Sequence, residues 1–331
     1  MSSILVTGGA GFIGSHLIDR LLKEGHTVVV VDDLSGGNTK NVNDQAKFFR
    51  GSIVDKNLVN NLFELYRFDY VFHLAAYAAE GLSHFIRNFN YTNNLIGSVN
   101  LINASVKHNV KCFVFTSSMA VYGSNQVPFN EDMKPNPEDP YGVAKYAVEM
   151  DLKAAKELMG LNYIVFRPHN VYGERQNISD RYRNVIGIFM NQIMNNKDIT
   201  IFGDGEQTRA FSYIKDIVPI IAKSIFREDC YGETFNIGGD IPCSLNELAD
   251  KVCVSMCAKK NIVHLETRFE VKHAHTKHDK LRKYFPEFGT TTILDVGLQK
   301  MANWAREEGP QECEHFGEYE LTKNMPKFWI K

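Results

Sequence analysis

Residues 4–32 limit the fold of this chain more than any other stretch. They run from the apolar "ILVTG" through "TGGAGFIG" into "IGSHLIDRLLKEG", and then into "TVVVVDD". A short Val/Ile/Leu run followed at once by 3.6-residue periodicity is a strand feeding an amphipathic helix. Gly8, Gly11 and Gly14, with Phe12 and Ile13 between them, occupy the junction. Glycines at this spacing permit a tight turn and let a pyrophosphate approach the helix N-terminus, where free N–H groups and the dipole favour anions. Asp32 ends the following strand, with Asp33 beside it as a second candidate. A carboxylate there accepts from a ribose 2′-hydroxyl and repels a 2′-phosphate, which points to NAD over NADP.

The alternation continues through "AKFFRGSI", "KNLVNNLFELY", "DYVFHLAA", "NLIGSVNLINASVKH" and "KCFVFTSS". Near-continuous apolar strands separated by helices imply a parallel sheet covered on both faces, with right-handed crossovers. The expected fold is α/β: a Rossmann-type, doubly wound parallel sheet over residues 1–170. A smaller, discontinuous C-terminal substrate lobe is expected over 171–331, because the pattern turns mixed after about Asn170. "AFSYIKDIVPIIAKSIF" is expected to return to the first lobe, near 205–235. There is no internal repeat.

Charge excludes some functions. With 37 Lys and Arg against 39 acids, the net charge of −2 leaves no basic stripe for a nucleic-acid backbone. The first strand begins at Ser3, leaving no room for a leader, and no apolar run is long enough to span a membrane. A cytoplasmic location is therefore expected. Cys112, Cys230, Cys243, Cys253, Cys257 and Cys313 are scattered without a CxxC and are expected to be reduced and structural. His273, His275 and His278 fit no familiar metal-ligand spacing, so no metal is expected. His275 is expected to line a sugar pocket or to be exposed.

Two patterns carry chemistry. "TSSMAVYG" at 116–123 ends a strand in hydroxyls, Ser117 and Ser118. "PYGVAKYAVEM" sets Tyr141 and Lys145 four residues apart, on one helix face. A neighbouring ammonium favours tyrosinate and is expected to lower the phenol toward the range of a general base.

The glycine turn, the strand-end acid, the hydroxyl-ended strand and Tyr-x-x-x-Lys occur in this order. With "HLAA", "NYTNNLIGS", "RPHNVYG" and "IFGDGEQTRAFSYIKD", they make the chain similar to the extended short-chain dehydrogenase/reductases, in particular the nucleotide-sugar epimerases and dehydratases. The likeness runs from about Ile4 to the mid-270s. It implies Ser118, Tyr141 and Lys145 as the catalytic group, Lys145 also holding the nicotinamide ribose. It implies cofactor contacts at Leu74, Ala75, Ala76, Asn94, Ser117 and His169. The acid that often meets the adenine amine is replaced by Ser52, followed by Ile53. Asn170 and Arg209 resemble the residues on the substrate diphosphate, and Asn184, Val185 and Thr200 belong to the same substrate region. Phe202 resembles the residue beside uracil. Arg268 is the match for a second phosphate-binding arginine, in a stretch that departs from the family pattern. The family also implies a homodimer built as a four-helix bundle from the helices around 94–108 and 141–159.

By this resemblance, the reaction turns on Met119 and Ala120, the two positions after the catalytic serine, Met119 being expected to contact the substrate. In the dehydratases an Asp-Glu pair follows the catalytic Ser or Thr, and neither Met nor Ala transfers a proton. NAD-dependent 4-epimerisation of a UDP-hexose through a 4-keto sugar needs no further acid or base. Glu80, in the loop after "HLAA", is the objection, since it could bond a sugar hydroxyl or serve a dehydratase of the 4,6- or 5,6-type. A regulatory NAD-binding module without turnover is the third reading, and the presence of Ser118, Tyr141 and Lys145 weighs against it.

Overall fold

The computed structural model describes residues 1–287 and 291–330. Its centre is a seven-stranded sheet formed by β1 (Ser3–Thr7), β2 (Thr27–Asp32), β3 (Lys47–Arg50), β4 (Tyr70–His73), β5 (Cys112–Thr116), β6 (Tyr163–Pro168) and β7 (Thr234–Ile237). All pairings are parallel, in the order β7-β6-β5-β4-β1-β2-β3. Period-two alternation sends Ile4 and Val6 of β1, with Cys112 and Val114 of β5, into one core. Leu5, Phe113 and Phe115 enter a second core on the opposite face. Both faces are therefore buried, as the continuous apolar runs require.

Helix α1 (Phe12–Lys23) packs on one face, against the helix Ile214–Ser224. On the other face lie α2 (Lys56–Tyr66), α3 (Gly97–Lys107) and the twenty-residue α4 (Pro140–Met159). Helix α4 begins where its sequence dictates. Asp139 accepts from the Gly142 N–H at 2.8 Å, Pro140 opens the first turn, and Gly160 ends the helix in the left-handed region at φ 75°. This start fixes Tyr141 in the first turn and Lys145 one turn later.

Strand order reverses between β1 and β4, so the connections leave in opposite directions and open a crevice at the carboxyl ends of the strands. Beyond β6 the chain builds small sheets over that crevice. Ile199–Phe202 pairs with Ile262–Leu265, and Thr208–Ala210 lies between Pro242–Ser244 and His273–Ala274. Seventh strand β7 rejoins the main sheet beside β6. The C-terminal residues return across the crevice, where Met325 and Trp329 join Ala79, Leu82, Ile86 and Tyr182 in a separate apolar cluster.

Candidate active site

A cavity of about 950 Å³ occupies the crevice. At its β1–β2 end, Gly8 sits at φ +71°, and a Cβ there would lie 2.6 Å from the Ala75 amide nitrogen. A Cβ on Gly14 would lie 2.2 Å from the Gly8 carbonyl oxygen, so backbone must pass where a side chain would stand. Gly11 starts α1 with no side-chain cap, leaving that helix end for an anion. Asp32 accepts from the N–H groups of Ala10 at 3.0 Å and Leu34 at 2.8 Å. Burial nevertheless holds its carboxyl above the usual carboxylate range. Phe12, Ile13, Asp33, Ser52, Ile53, Leu74, Ala75 and Ala76 also line this end. Nearer the middle, the Thr116 hydroxyl is buried without a hydrogen-bond partner among the described residues. The uncapped helix end, the cradle a Cβ would fill and this orphan hydroxyl fit a dinucleotide.

Asn94 stands behind the wall instead of on it. Its carboxamide accepts from the Tyr77 N–H at 2.8 Å and donates to the Tyr77 carbonyl at 3.1 Å and to Asn90 at 2.8 Å, which holds the strand exit in place. Ser117 reaches the cavity edge, but its hydroxyl donates to Glu149 Oε1 at 2.5 Å, away from any ligand. Glu149 is paired with Arg167, both nearly fully buried.

Ser118, Tyr141 and Lys145 converge at mid-cavity. Ser118 caps the short 3₁₀ turn Met119–Tyr122, accepting from the Ala120 N–H at 3.1 Å, and its hydroxyl is near enough to the Tyr141 phenol to favour tyrosinate. The expectation that Lys145 would lower the phenol is not met: Lys145 is not among the groups that shift it. Burial pushes Tyr141 well up, and the carboxyls of Glu80 and Asp139 add to it, against the Ser118 hydrogen bond and Arg183. Burial also brings Lys145 down to about 7. Its Nζ donates to the Thr116 carbonyl at 2.8 Å and lies 5.8 Å from the Tyr141 ring centre. Desolvation thus favours the neutral form of both groups.

His169 lines the cavity with both ring nitrogens engaged, Nδ1 on the Ala210 carbonyl at 3.0 Å and Nε2 facing His278 Nε2 at 3.2 Å. Burial, then His278, holds His169 down to about 3. His278 continues to Asp240, whereas His273 contacts Thr208. His273 and His278 thus face different partners, and the His275 Nδ1 is buried without a hydrogen-bond partner among the described residues. His275 does not reach the cavity; Ala274 does, because the side chains alternate along this short strand.

Past Tyr141 come Glu80, Met119 and two arginines. Glu80 is open to the cavity but lies deep in the protein. Burial raises its pKa despite Arg209 and Arg268. Asp139 is raised to about 7, first by burial and then by Glu80. Arg209 donates to the carbonyls of Thr208, Lys272 and Val271, and it shares Glu270 with Arg268. Asn170 donates to the Ala210 carbonyl at 3.0 Å, and Asn184 sits at φ 65° at the start of the helix Val185–Met194. Val185, Thr200 and Phe202 complete this wall.

Two groups escaped the sequence reading. Arg183 lines the cavity, is held by Asp180 at 2.6 Å and lies 4.8 Å from the Tyr77 ring centre. Its only sequence signal is a cation just before Asn184, in the Arg-rich "DRYRN". Asp139, which caps α4, is the other, because Glu80 comes beside it only through tertiary folding.

The sheet order and this cavity define a Rossmann-type dinucleotide enzyme with a second ligand region opposite the cofactor end. Residues 4–238 match the NAD dependent epimerase/dehydratase family, and the chain belongs to it. It is therefore an NAD-dependent enzyme of the nucleotide-sugar epimerase/dehydratase kind. Over 251 residues it is 38% identical to a putative UDP-glucose 4-epimerase of Methanocaldococcus jannaschii, covering 75% of this chain and 80% of that one. A dTDP-D-glucose 4,6-dehydratase of Dictyostelium discoideum is 34% identical over 275 residues, 76% of this chain and 62% of that one. The UDP-glucose 4-epimerase of Thermotoga maritima, solved with UDP-glucose, superposes with a TM-score of 0.88 at 35% identity, covering 92% of this chain and 99% of that one.

Proposed function

We propose that the protein interconverts the C4 epimers of a UDP-hexose. The observation that carries this reading is the pair Met119 and Ala120. Both lie against the cavity directly after Ser118, and neither has a group that can move a proton. NAD, when bound, supplies a reversible acceptor for the hydrogen on C4. Gly8, Gly11, Gly14 and Asp32 would hold it. Once its phenol proton has been given up, Tyr141 as the phenolate takes the proton of the 4-hydroxyl, with Ser118 beside the same oxygen, and returns it once the 4-keto sugar has presented its other face. Lys145 orients the phenol and the ribose from one turn away. Arg209 and Arg268 suit a diphosphate, since forked cations match its oxygens. The Thermotoga enzyme's bound UDP-glucose supports the UDP-sugar assignment.

One observation favours a second reading, a dehydratase. Glu80 and Asp139 form a carboxyl pair at the cavity, Asp139 raised to about 7, which is a range suited to proton transfer. Incubation with individual UDP-sugars without added NAD, followed by NMR of the products, separates the two. A C4 epimer supports the first reading, and a 6-deoxy-4-keto or unsaturated sugar replaces it with the second. Tyr141→Phe is expected to abolish turnover while bound NAD remains; retained turnover removes Tyr141 as the base.

Homodimerisation belongs to the same proposal. Val143 and Met150 on α4 and Ile96 just before α3 are exposed apolar residues on the helices a bundle would use. Sedimentation equilibrium tests it, and a monomer would refute it.

A further inference from the structure

Residues 311–330 run to the cavity, which Cys313, His315 and Phe328 line, and no motif marks them. Their attachment is extensive. The Glu320 carboxylate accepts from the N–H groups of Asn88 at 2.7 Å and Phe89 at 2.8 Å, and the Glu320 N–H donates to the Phe85 carbonyl at 2.9 Å. These contacts fix the segment to the part of the chain before α4. At the opposite side, the Gln311 N–H donates to Asn191 at 2.9 Å, the Glu314 N–H donates to the Ser179 carbonyl at 3.0 Å, and the hydroxyls of Tyr319 and Tyr182 meet at 2.6 Å. The segment thus spans the crevice with an anchor on each side.

It ends in two aromatic residues with different fates. Trp329 is 1% exposed, packed edge-on against Tyr182 at 5.3 Å and Phe202 at 5.9 Å. Phe328, its immediate neighbour, is 40% exposed and lines the cavity. Its ring lies 6.1 Å from that of Phe202, and the Arg181 guanidinium lies 4.7 Å from its centre.

The neighbours of this ring give the cavity a direction. Tyr141 feels the charge of Glu80, and Glu80 feels Arg209 and Arg268. Arg268 lies 4.7 Å from the centre of Phe202, which in turn faces Phe328. The sequence is therefore reacting centre, cation pair, aromatic pair. A nucleoside diphosphate sugar presents its parts in the same order: sugar, diphosphate, base. An exposed aromatic ring beyond a cation pair suits the flat, polarizable face of a base.

We infer that residues 311–329 form the base-binding end of the substrate site, with Phe328 as the ring on which the nucleobase stacks. This rests on the nucleotide-sugar reading above. It adds a recognition element that comes from the far end of the chain, outside the residues matched to the family. Because the segment is tied to both sides of the crevice, the base contact also depends on those sides keeping their spacing.

The test is isothermal titration of the full-length, NAD-loaded protein with UDP and, separately, with inorganic pyrophosphate. Phe328→Ala is expected to weaken UDP binding about 10-fold. Pyrophosphate affinity, bound NAD and the melting temperature should stay as in the wild type, and Phe328→Tyr should restore UDP binding. Wild-type affinity for UDP in Phe328→Ala overturns the inference alone, as does an equal loss for UDP and pyrophosphate. A wild-type protein that binds no UDP overturns the nucleotide-sugar reading together with it. If Phe328→Ala fails to fold, Phe328→Leu provides the same comparison.

Discussion

Glu149→Gln tests whether the catalytic edge rests on a buried charge pair. Glu149, on α4, accepts from Arg167 of β6 at 2.5 and 3.0 Å and from Ser117 at 2.5 Å. Arg167 also donates to the Tyr122 hydroxyl at 2.8 Å, which donates to Asn236 of β7 at 2.8 Å. The network therefore ties together the end of β5, α4, β6 and β7, directly beneath Ser118 and Tyr141. Both charged side chains are at most 7% exposed, so Gln leaves the guanidinium without its counter-ion in a site water does not reach. Removing one member of such a pair costs about 3–5 kcal/mol. With an unfolding entropy of about 2.1 cal/mol/K per residue over 331 residues, that corresponds to a fall in Tm of about 4–7 °C. Calorimetry measures the shift directly. Because replacing both partners by apolar residues of similar volume removes the orphaned charge, Glu149→Leu with Arg167→Met should recover most of it. A single variant that melts within about 1 °C of the wild type, or a double variant less stable than the single, would refute the reasoning.

Two further outcomes follow from the site. Asp139 has a folded pKa of about 7, raised from 3.8, so the folded protein holds a proton there that the unfolded chain releases. The associated stability is present in full below about pH 4 and is lost as pH rises toward 7. Asparagine caps a helix as well as aspartate does, so Asp139→Asn should keep α4 and flatten the dependence of Tm on pH over this window; an unchanged slope would exclude Asp139 as its source. Gly14→Ala should cut NAD affinity at least 10-fold in equilibrium titration, because its Cβ would stand 2.2 Å from the Gly8 carbonyl oxygen. Gly11→Ala, with 3.1 Å to the same atom, should be milder, and the reverse order would contradict this account of the turn.

Much of the fold was legible because its causes are local. Apolar runs, helical periodicity and glycine spacing act over a few residues, so β1, α1, β2 and α4 could be placed from the sequence. Tyr141 and Lys145 share a face through helical periodicity alone. Asp32 at the end of β2 and Ser52 just after β3 line the cavity, since a parallel sheet directs its carboxyl ends to one crevice. Asn94 was less legible, because a buried amide goes to whatever backbone lies nearby, and here that is Tyr77. Arg183 was missed for the converse reason, as nothing local distinguishes a cavity arginine from a surface one.

What the sequence determined by itself was therefore the Rossmann sheet, the dinucleotide turn and the spacing of the Ser118, Tyr141 and Lys145 group, each of which depends on short-range geometry. Tertiary structure decided their electrostatics and their neighbours. It buried Tyr141 and Lys145 deeply enough for desolvation to favour the neutral form of each, and it brought Glu80 against Asp139. It also carried Phe328 back across more than a hundred residues of chain to face Phe202. Burial and long-range contact depend on how the whole chain packs, and no local pattern encodes them.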